Sequence, residues 1–241
     1  MKINVIGTGS MGAETRGNQS ILVDNVLFDA GSGTVLKMSQ LGLHTEDVKY
    51  IVITHSHADH FVDLPNYLLG RNIRGKNENL LYIIGGVGIK EKTIQLFELT
   101  FGDGIPNKYA KLEEKCNVKF VELESGQSFE DENIKITGYD LEHGTCKPML
   151  GYVLEKDGHT LGYATDTVLC DNVRKICEKS EIAFLDATNP MATRMHMGVQ
   201  DVLDLKKEYP KVSMNAIHRS DYEHENITEI NFPEDGDIIE I

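Results

Sequence analysis

At 241 residues, with 40% apolar and 26% charged side chains, the sequence has the composition of a globular protein and enough length to bury a sizeable core within one domain, 1–241. The net charge of −14 sets the overall field against a long polyanion, so a small ligand is favoured over a large nucleic acid; the best local basic run is RNIRGK, 71–76. No stretch reads as a membrane-spanning helix, no signal peptide is legible, and the four cysteines form no C-x-x-C pair, which together predict a cytoplasmic protein with free thiols and no membrane partner.

In chain order, INVI (3–6) is a short apolar run ended by glycines and reads as the first strand. The GTGSMG that follows fits G-x-G-x-x-G, the glycine pattern that seats a dinucleotide pyrophosphate on a helix N-terminus. The residues after it, AETRGNQS, are polar, contain Gly17 and lead into another strand, so the helix the motif requires is missing and a glycine-rich loop is the better reading. SILVDNVLFDAG (20–31) is a strand pair dividing at Asp24-Asn25, and YIVITH (50–55) is a further strand. HFVDLPNYLLGRN (60–72) has helical apolar spacing, LLYIIG (80–85) reads as strand, and GIKEKTIQLFELTFG (88–102) is a helix bounded by glycines. Strands at 118–123 and 134–143 follow, then a pair over 151–166 that turns at the Asp157-Gly158 hairpin signal. Helices over 173–180 and 198–210 are interleaved with strands at 182–188 and 212–218, the second helix stopping at Pro210. Strand pairs that give way to alternating strands and helices predict an α/β layered architecture with sheet inside and helices outside.

The segment THSHADH (54–60) holds three of the nine histidines. A polar loop that happens to be His-rich is the plain alternative, but the segment directly follows an apolar strand. In an extended backbone alternate side chains share a face, so His55 and His57 can address one metal ion while Asp59 and His60 turn to a second. Imidazoles with a further N or O donor suit zinc, and an imidazole–carboxylate mixture also admits manganese or iron. A dinuclear site needs more ligands and an anionic bridge. His143, Asp166 and His218 supply them, each at the end of a predicted strand, where open α/β sheets place their sites.

This pattern resembles the metallo-β-lactamase fold, a four-layer αββα sandwich, over nearly the whole chain. Carried over by position, the resemblance implies His55, His57 and His143 on one metal, Asp59, His60 and His218 on the other, and Asp166 with a hydroxide bridging two divalent ions, zinc first and manganese as the alternative. Asp29, in LFDAG, matches a recurrent acidic position and would orient a ligating histidine; a turn aspartate before glycine is the simpler reading.

Within that superfamily a carboxylate bridge disfavours the true β-lactamases. DATNPMATRMHMG places His196 between Asp166 and His218, which resembles the ribonuclease Z branch, as do the opening GTG, RGNQS and the HRS of 218–220; Asp221-Tyr222 departs from that branch's usual Arg-Tyr. Phosphodiester cleavage expels a poor alkoxide leaving group, and imidazole, which titrates nearest neutrality, is suited to protonate it. His196 is therefore the expected general acid, and Asp59 would orient the bridging hydroxide. The interval from His143 to Asp166 is too short for the tRNA-gripping arm of ordinary ribonuclease Z enzymes. The resemblance then points to compact relatives that hydrolyse small cyclic phosphodiesters, including cyclic-nucleotide phosphodiesterases of the anti-Pycsar type and cyclic ribose-phosphate phosphodiesterases, with a ribonuclease Z-type RNA 3′-processing endonuclease and a non-catalytic metal-binding protein as alternatives. Lys147, Arg16 and Arg219 are candidate phosphate or base contacts, and the branch implies a homodimer through 61–75.

Overall fold

The structure is a computed structural model that describes residues 1–224 and 226–241. The first sheet contains β1 (Lys2–Gly7), β2 (Ser20–Val23), β3 (Val26–Phe28), β4 (Tyr50–Val52), β5 (Leu81–Gly86), β6 (Val118–Leu123) and β13 (Ile238–Glu240), in the order β13-β1-β2-β3-β4-β5-β6. The second contains β7 (Ser128–Glu130), β8 (Lys135–Asp140), β9 (Leu150–Lys156), β10 (His159–Ala164), β11 (Ile182–Asp186) and β12 (Ser213–Ile217), in the order β12-β11-β10-β9-β8-β7.

Strand alternation builds the layers. On β3 and β4, Val26, Phe28, Tyr50 and Val52 face the second sheet, while Leu27 and Ile51 face the other way. On β10 and β11, Leu161, Tyr163, Ile182 and Phe184 face the first sheet, while Ala164, Ala183 and Leu185 face outward. Both faces of each sheet are therefore apolar and each must be covered. The outer face of the first sheet is covered by α1 (Thr34–Gln40), α2 (Ala58–Phe61), α3 (Leu64–Ile73), α4 (Ile89–Phe101) and α5 (Leu112–Cys116), through residues such as Met38, Leu64, Leu68 and Phe97. The outer face of the second is covered by α6 (Asp171–Glu178) and α7 (Val199–Glu208), through Val173, Ile176, Val202 and Leu205. Three cores separate four layers, the αββα sandwich. Each fully buried Leu, Ile or Phe contributes roughly 1.5–3 kcal/mol relative to exposure, so the cores, not local propensity, hold the short strands in place.

One expected helix is two. The segment 60–72 breaks after α2 because Val62–Asp63 is tied to the loop after β3: Ala30 N donates to His60 O (2.7 Å), Asp63 N donates to Ala30 O (2.9 Å), and Val35 N donates to Asp63 Oδ2 (2.8 Å). Pro65, which has no N–H to lose, then sits in the first turn of α3. The strands that lead to the site run alike: β3 pairs parallel with β4, and β10, β11 and β12 pair parallel with one another. Their C-terminal ends thus gather on one edge of the sandwich.

Candidate metal centre

The predicted ligands converge at that edge. His55 stands three residues beyond β4, His57–His60 caps and forms α2, His143 lies three residues beyond β8, Asp166 two beyond β10, and His218 directly follows β12. Two groups result whose ligand atoms lie within 4.8 Å of one another: His55, His57, His143 and Asp166, and Asp59, His60, Asp166 and His218. Asp166 belongs to both. Its Oδ2 is 3.9 Å from His55 Nε2 and 3.9 Å from His143 Nε2, while its Oδ1 is 3.2 Å from His60 Nε2 and 3.2 Å from His218 Nε2. Each carboxylate oxygen thus addresses a different histidine pair.

The outward nitrogens are held by the protein. His60 Nδ1 meets Asp29 Oδ2 (2.9 Å), His55 Nδ1 meets Thr54 Oγ1 (3.0 Å), His143 Nδ1 meets the Met195 carbonyl (3.1 Å), and His218 Nδ1 meets Thr188 Oγ1 (2.9 Å). With Nδ1 engaged, each ring turns Nε2 inward, the arrangement that orients metal-ligating histidines. Asp29 is fully buried, and it also accepts from Thr54 N (2.9 Å) and from the Tyr163 hydroxyl (3.2 Å), so its orienting role has a structural basis that a turn aspartate would lack. Asp29, Asp166 and His218 all have left-handed backbones, with φ of 59, 50 and 54. Such conformations are uncommon for residues with a Cβ and persist where the surroundings over-determine them.

Gly31 has a specific steric reason to be glycine. A Cβ there would lie 1.7 Å from the Asp59 carbonyl oxygen. The loop after β3 and the start of α2 are packed backbone to backbone, and this contact sets the height of Asp59 and His60. Gly31→Ala is therefore expected to destabilise the protein by more than the ~1–3 kcal/mol of ordinary overpacking and to reduce metal uptake; thermal denaturation and elemental analysis of the variant check both.

The donor atoms fit metal ions. His55 Nε2, His60 Nε2 and Asp59 Oδ1 are buried and have no hydrogen-bond partner, an arrangement that costs free energy unless something cationic meets them. Burial and the neighbouring His60 push His55 down to about 2, so it presents a neutral ring. Burial also pushes His218 down, but Asp166, Asp186 and Asp59 outweigh it and raise the ring to about 9. His60 is likewise raised: burial is overcome by Asp166 and Asp29. Burial would raise Asp166, yet His218 and His60 hold it well below the usual carboxylate range. Asp59 and Asp166 thus favour positive charge among the rings, which a divalent ion would supply directly.

His196 lies beside the two groups. Its ring stacks on His218 (centroids 5.2 Å, 19°) and meets His143 edge-on (4.8 Å). Its Nδ1 is 2.9 Å from Asp186 Oδ2. Asp186, at the end of β11 and fully buried, also accepts from Thr167 N (2.9 Å), Thr188 N (3.0 Å) and the Thr188 hydroxyl (2.7 Å). Burial would raise Asp186, but its bonds with His196 and His218 keep it low and therefore anionic. Sequence reasoning assigned Asp186 no role; the available signal was an acid closing a wholly buried strand ten residues before His196.

Five of the candidate ligands, His57, Asp59, His143, Asp166 and His218, line a cavity of about 390 Å³ together with His196, Ser10, Met11, Thr188 and Met195. A wider hollow of about 810 Å³ beside α4 is lined by Lys90, Glu91, Glu98 and their neighbours and contains none of these groups. The expected phosphate-contacting cations need correction. Arg16 pairs with Asp221 (2.8 Å) and Glu234 (3.3 Å), and Arg219 is buried, bonded to His224 (2.7 Å) and Glu234 (3.0 Å). Both pair with acidic residues of the C-terminal segment, and neither lines the cavity. Lys147 is exposed and does not line the cavity; its carbonyl accepts from Lys92 (3.5 Å).

A family model described as the β-lactamase superfamily domain matches residues 24–219. Among curated proteins, a ribonuclease Z of Metallosphaera sedula is 31% identical over 161 residues, covering 65% of this chain and 49% of its own length. A ribonuclease Z of Listeria monocytogenes is 33% identical over 167 residues, with 65% and 50% covered. The chain thus spans about half the length of these relatives. The short form of human tRNase Z superposes with a TM-score of 0.75 at 22% identity, covering 100% of this chain and 99% of its own. A diphosphatase of the PhnP family superposes with a TM-score of 0.76 at 19% identity, covering 99% and 96%. At these identities the superpositions establish the shared fold.

Proposed function

Because the chain belongs to the metallo-β-lactamase superfamily and is similar to ribonuclease Z proteins over part of its length, we propose that it is a dinuclear metal-dependent phosphodiesterase of the ribonuclease Z-like branch acting on small phosphodiesters, cyclic nucleotides first among them. The observation that carries the reading is Asp166 facing a different histidine pair with each oxygen, with His196 poised beside both pairs. His55, His57 and His143 would hold one ion, Asp59, His60 and His218 the other, and Asp166 both; the donor set suits zinc, with manganese as the alternative. When bound, two such ions supply Lewis-acid stabilisation of the phosphoryl charge and lower the pKa of water.

The remaining roles fall to the chain. Asp59 directs Oδ2 toward His60 (3.4 Å) and His218 (3.5 Å) and leaves its buried Oδ1 to accept a hydrogen bond from the attacking water. His196, engaged at Nδ1 by Asp186, has Nε2 as the nitrogen that carries a proton to the leaving oxygen. Asp186 acts through it, fixing the ring and its tautomer.

Three observations favour a small substrate. The 22 residues between His143 and Asp166 are taken up by a turn and the β9–β10 hairpin. The basic run at 71–76 does not form a free stripe: Arg71 is buried, Arg74 bonds Thr45 Oγ1 (2.6 Å), and Lys76 lies 3.9 Å from Glu46. The cavity is near the lower end of the ~300–1,000 Å³ usual for small-molecule sites. Among the described residues no helix is long and apolar enough to cross a membrane. For assembly we carry forward a homodimer through 61–75, where Ile73 is 84% exposed.

The test is turnover by metal-loaded protein of 2′,3′- and 3′,5′-cyclic nucleotides, a tRNA precursor, a β-lactam and a thioester. Hydrolysis of the cyclic nucleotides with the other three left intact is the expected result. Cleavage of the tRNA precursor at its 3′ side without cyclic-nucleotide turnover would instead place the protein with the activity its ribonuclease Z relatives are named for.

A further inference from the structure

We propose that Met11 and Met195 form a thioether clamp for a planar ring on the substrate, so that the substrate class is a phosphodiester bearing a nucleobase and not a base-free sugar phosphate. The inference rests on the phosphodiesterase reading above.

Two loops from different sheets each carry one methionine to the same cavity. Met11 follows β1. Its loop is tied to the end of β12, where Ser10 N donates to Arg219 O (3.0 Å), beside His218. Met195 follows β11. Its carbonyl meets His143 Nδ1 at 3.1 Å, and its thioether lies across Gly144, where a Cβ would come within 2.6 Å of Cε and 2.8 Å of Sδ. The first loop is tied beside His218 and the second to His143, members of different candidate ligand groups.

Of the eight methionines, Met11, Met191 and Met195 are the exposed ones, and of these Met11 and Met195 line the cavity. Met11 is 64% exposed and Met195 37%, while Met38, Met149, Met197 and Met214 are buried in the cores. An unbranched, polarizable thioether conforms to the ring it meets and makes favourable sulfur–aromatic contacts. The ionic floor of the cavity suits the phosphate, and the apolar mouth suits a flat π-system. A sugar without a base would set hydroxyl groups against the two sulfurs and gain nothing from them.

The measurement is equilibrium binding of uridine 5′-monophosphate, adenosine 5′-monophosphate and ribose 5-phosphate to metal-loaded protein. The nucleotides are expected to bind about tenfold tighter than ribose 5-phosphate. Met11→Ala and Met195→Ala should each cost about 2–10-fold for the nucleotides and leave ribose 5-phosphate unchanged. Met11→Leu and Met195→Leu should recover most of the loss, and Met191→Ala, exposed but outside the cavity lining, should change nothing. Equal binding of nucleotides and ribose 5-phosphate by the wild type, or an equal loss for both in the alanine variants, would overturn the clamp. Failure to turn over any phosphodiester would overturn the activity instead, and the binding comparison would still decide the clamp.

Discussion

Asp166→Ala is expected to lower metal affinity by more than about 100-fold and to abolish turnover. The basis for the magnitude is that residues which merely orient metal ligands are worth about 10–100-fold in affinity, whereas Asp166 addresses both histidine pairs directly. Without it, the Nε2 atoms of His55 and His143 would lose the carboxylate that faces them, and those of His60 and His218 would keep Asp59 alone. His57→Ala is the comparison, because His57 is exposed and belongs to one group alone. Elemental analysis after dialysis should find the His57 variant retaining more metal than the Asp166 variant. Equal occupancy of the two would remove Asp166 from the bridging role.

The second large effect concerns His196. His196→Ala should keep its metal, because His196 lies outside both ligand groups that share Asp166. General acid catalysis is worth about 10²–10⁴-fold, and kcat on a substrate with an ordinary alkoxide leaving group should fall by that factor. On bis(p-nitrophenyl) phosphate the loss should shrink sharply, since nitrophenolate departs without a proton. Asp186→Asn should show the same dependence on leaving group in weaker form, because the ring remains but the anion that fixes it is gone. An equal loss on both substrates with metal retained would make His196 a group that positions phosphate or supports its loop.

The candidate ligands that the fold brings together were legible because their chemistry is dense and local: His-x-His-x-Asp-His directly after an apolar strand, and one further donor after each of three others. The layered architecture was legible because short apolar runs marked the strands and strand pairs gave way to strands alternating with helices. What escaped has weak local signals. The N-cap of α1 is Gly33, with no side-chain bond to mark the start, and α5 is only five residues long. β13 pairs with β1 across nearly the whole chain, a register that no short window of sequence contains. The break between α2 and α3 comes from hydrogen bonds to the loop after β3, which periodicity cannot reveal. Arg16 and Arg219 were misread for the same reason: their partners Asp221 and Glu234 are brought to them by the fold. Asp186 was visible only as an acid closing a buried strand, and its meaning depended on where His196 lands.

The account's central claim is that two ions, shared through Asp166, run phosphodiester hydrolysis at this edge of the sandwich. It is tested most directly by titrating metal-free protein with zinc, and in parallel with manganese, while following bis(p-nitrophenyl) phosphate hydrolysis. The predicted result is no hydrolysis without metal and a rate that rises to a plateau at two equivalents per chain. A full rate without metal, a plateau at one equivalent, or no hydrolysis at any ratio of either metal would contradict it.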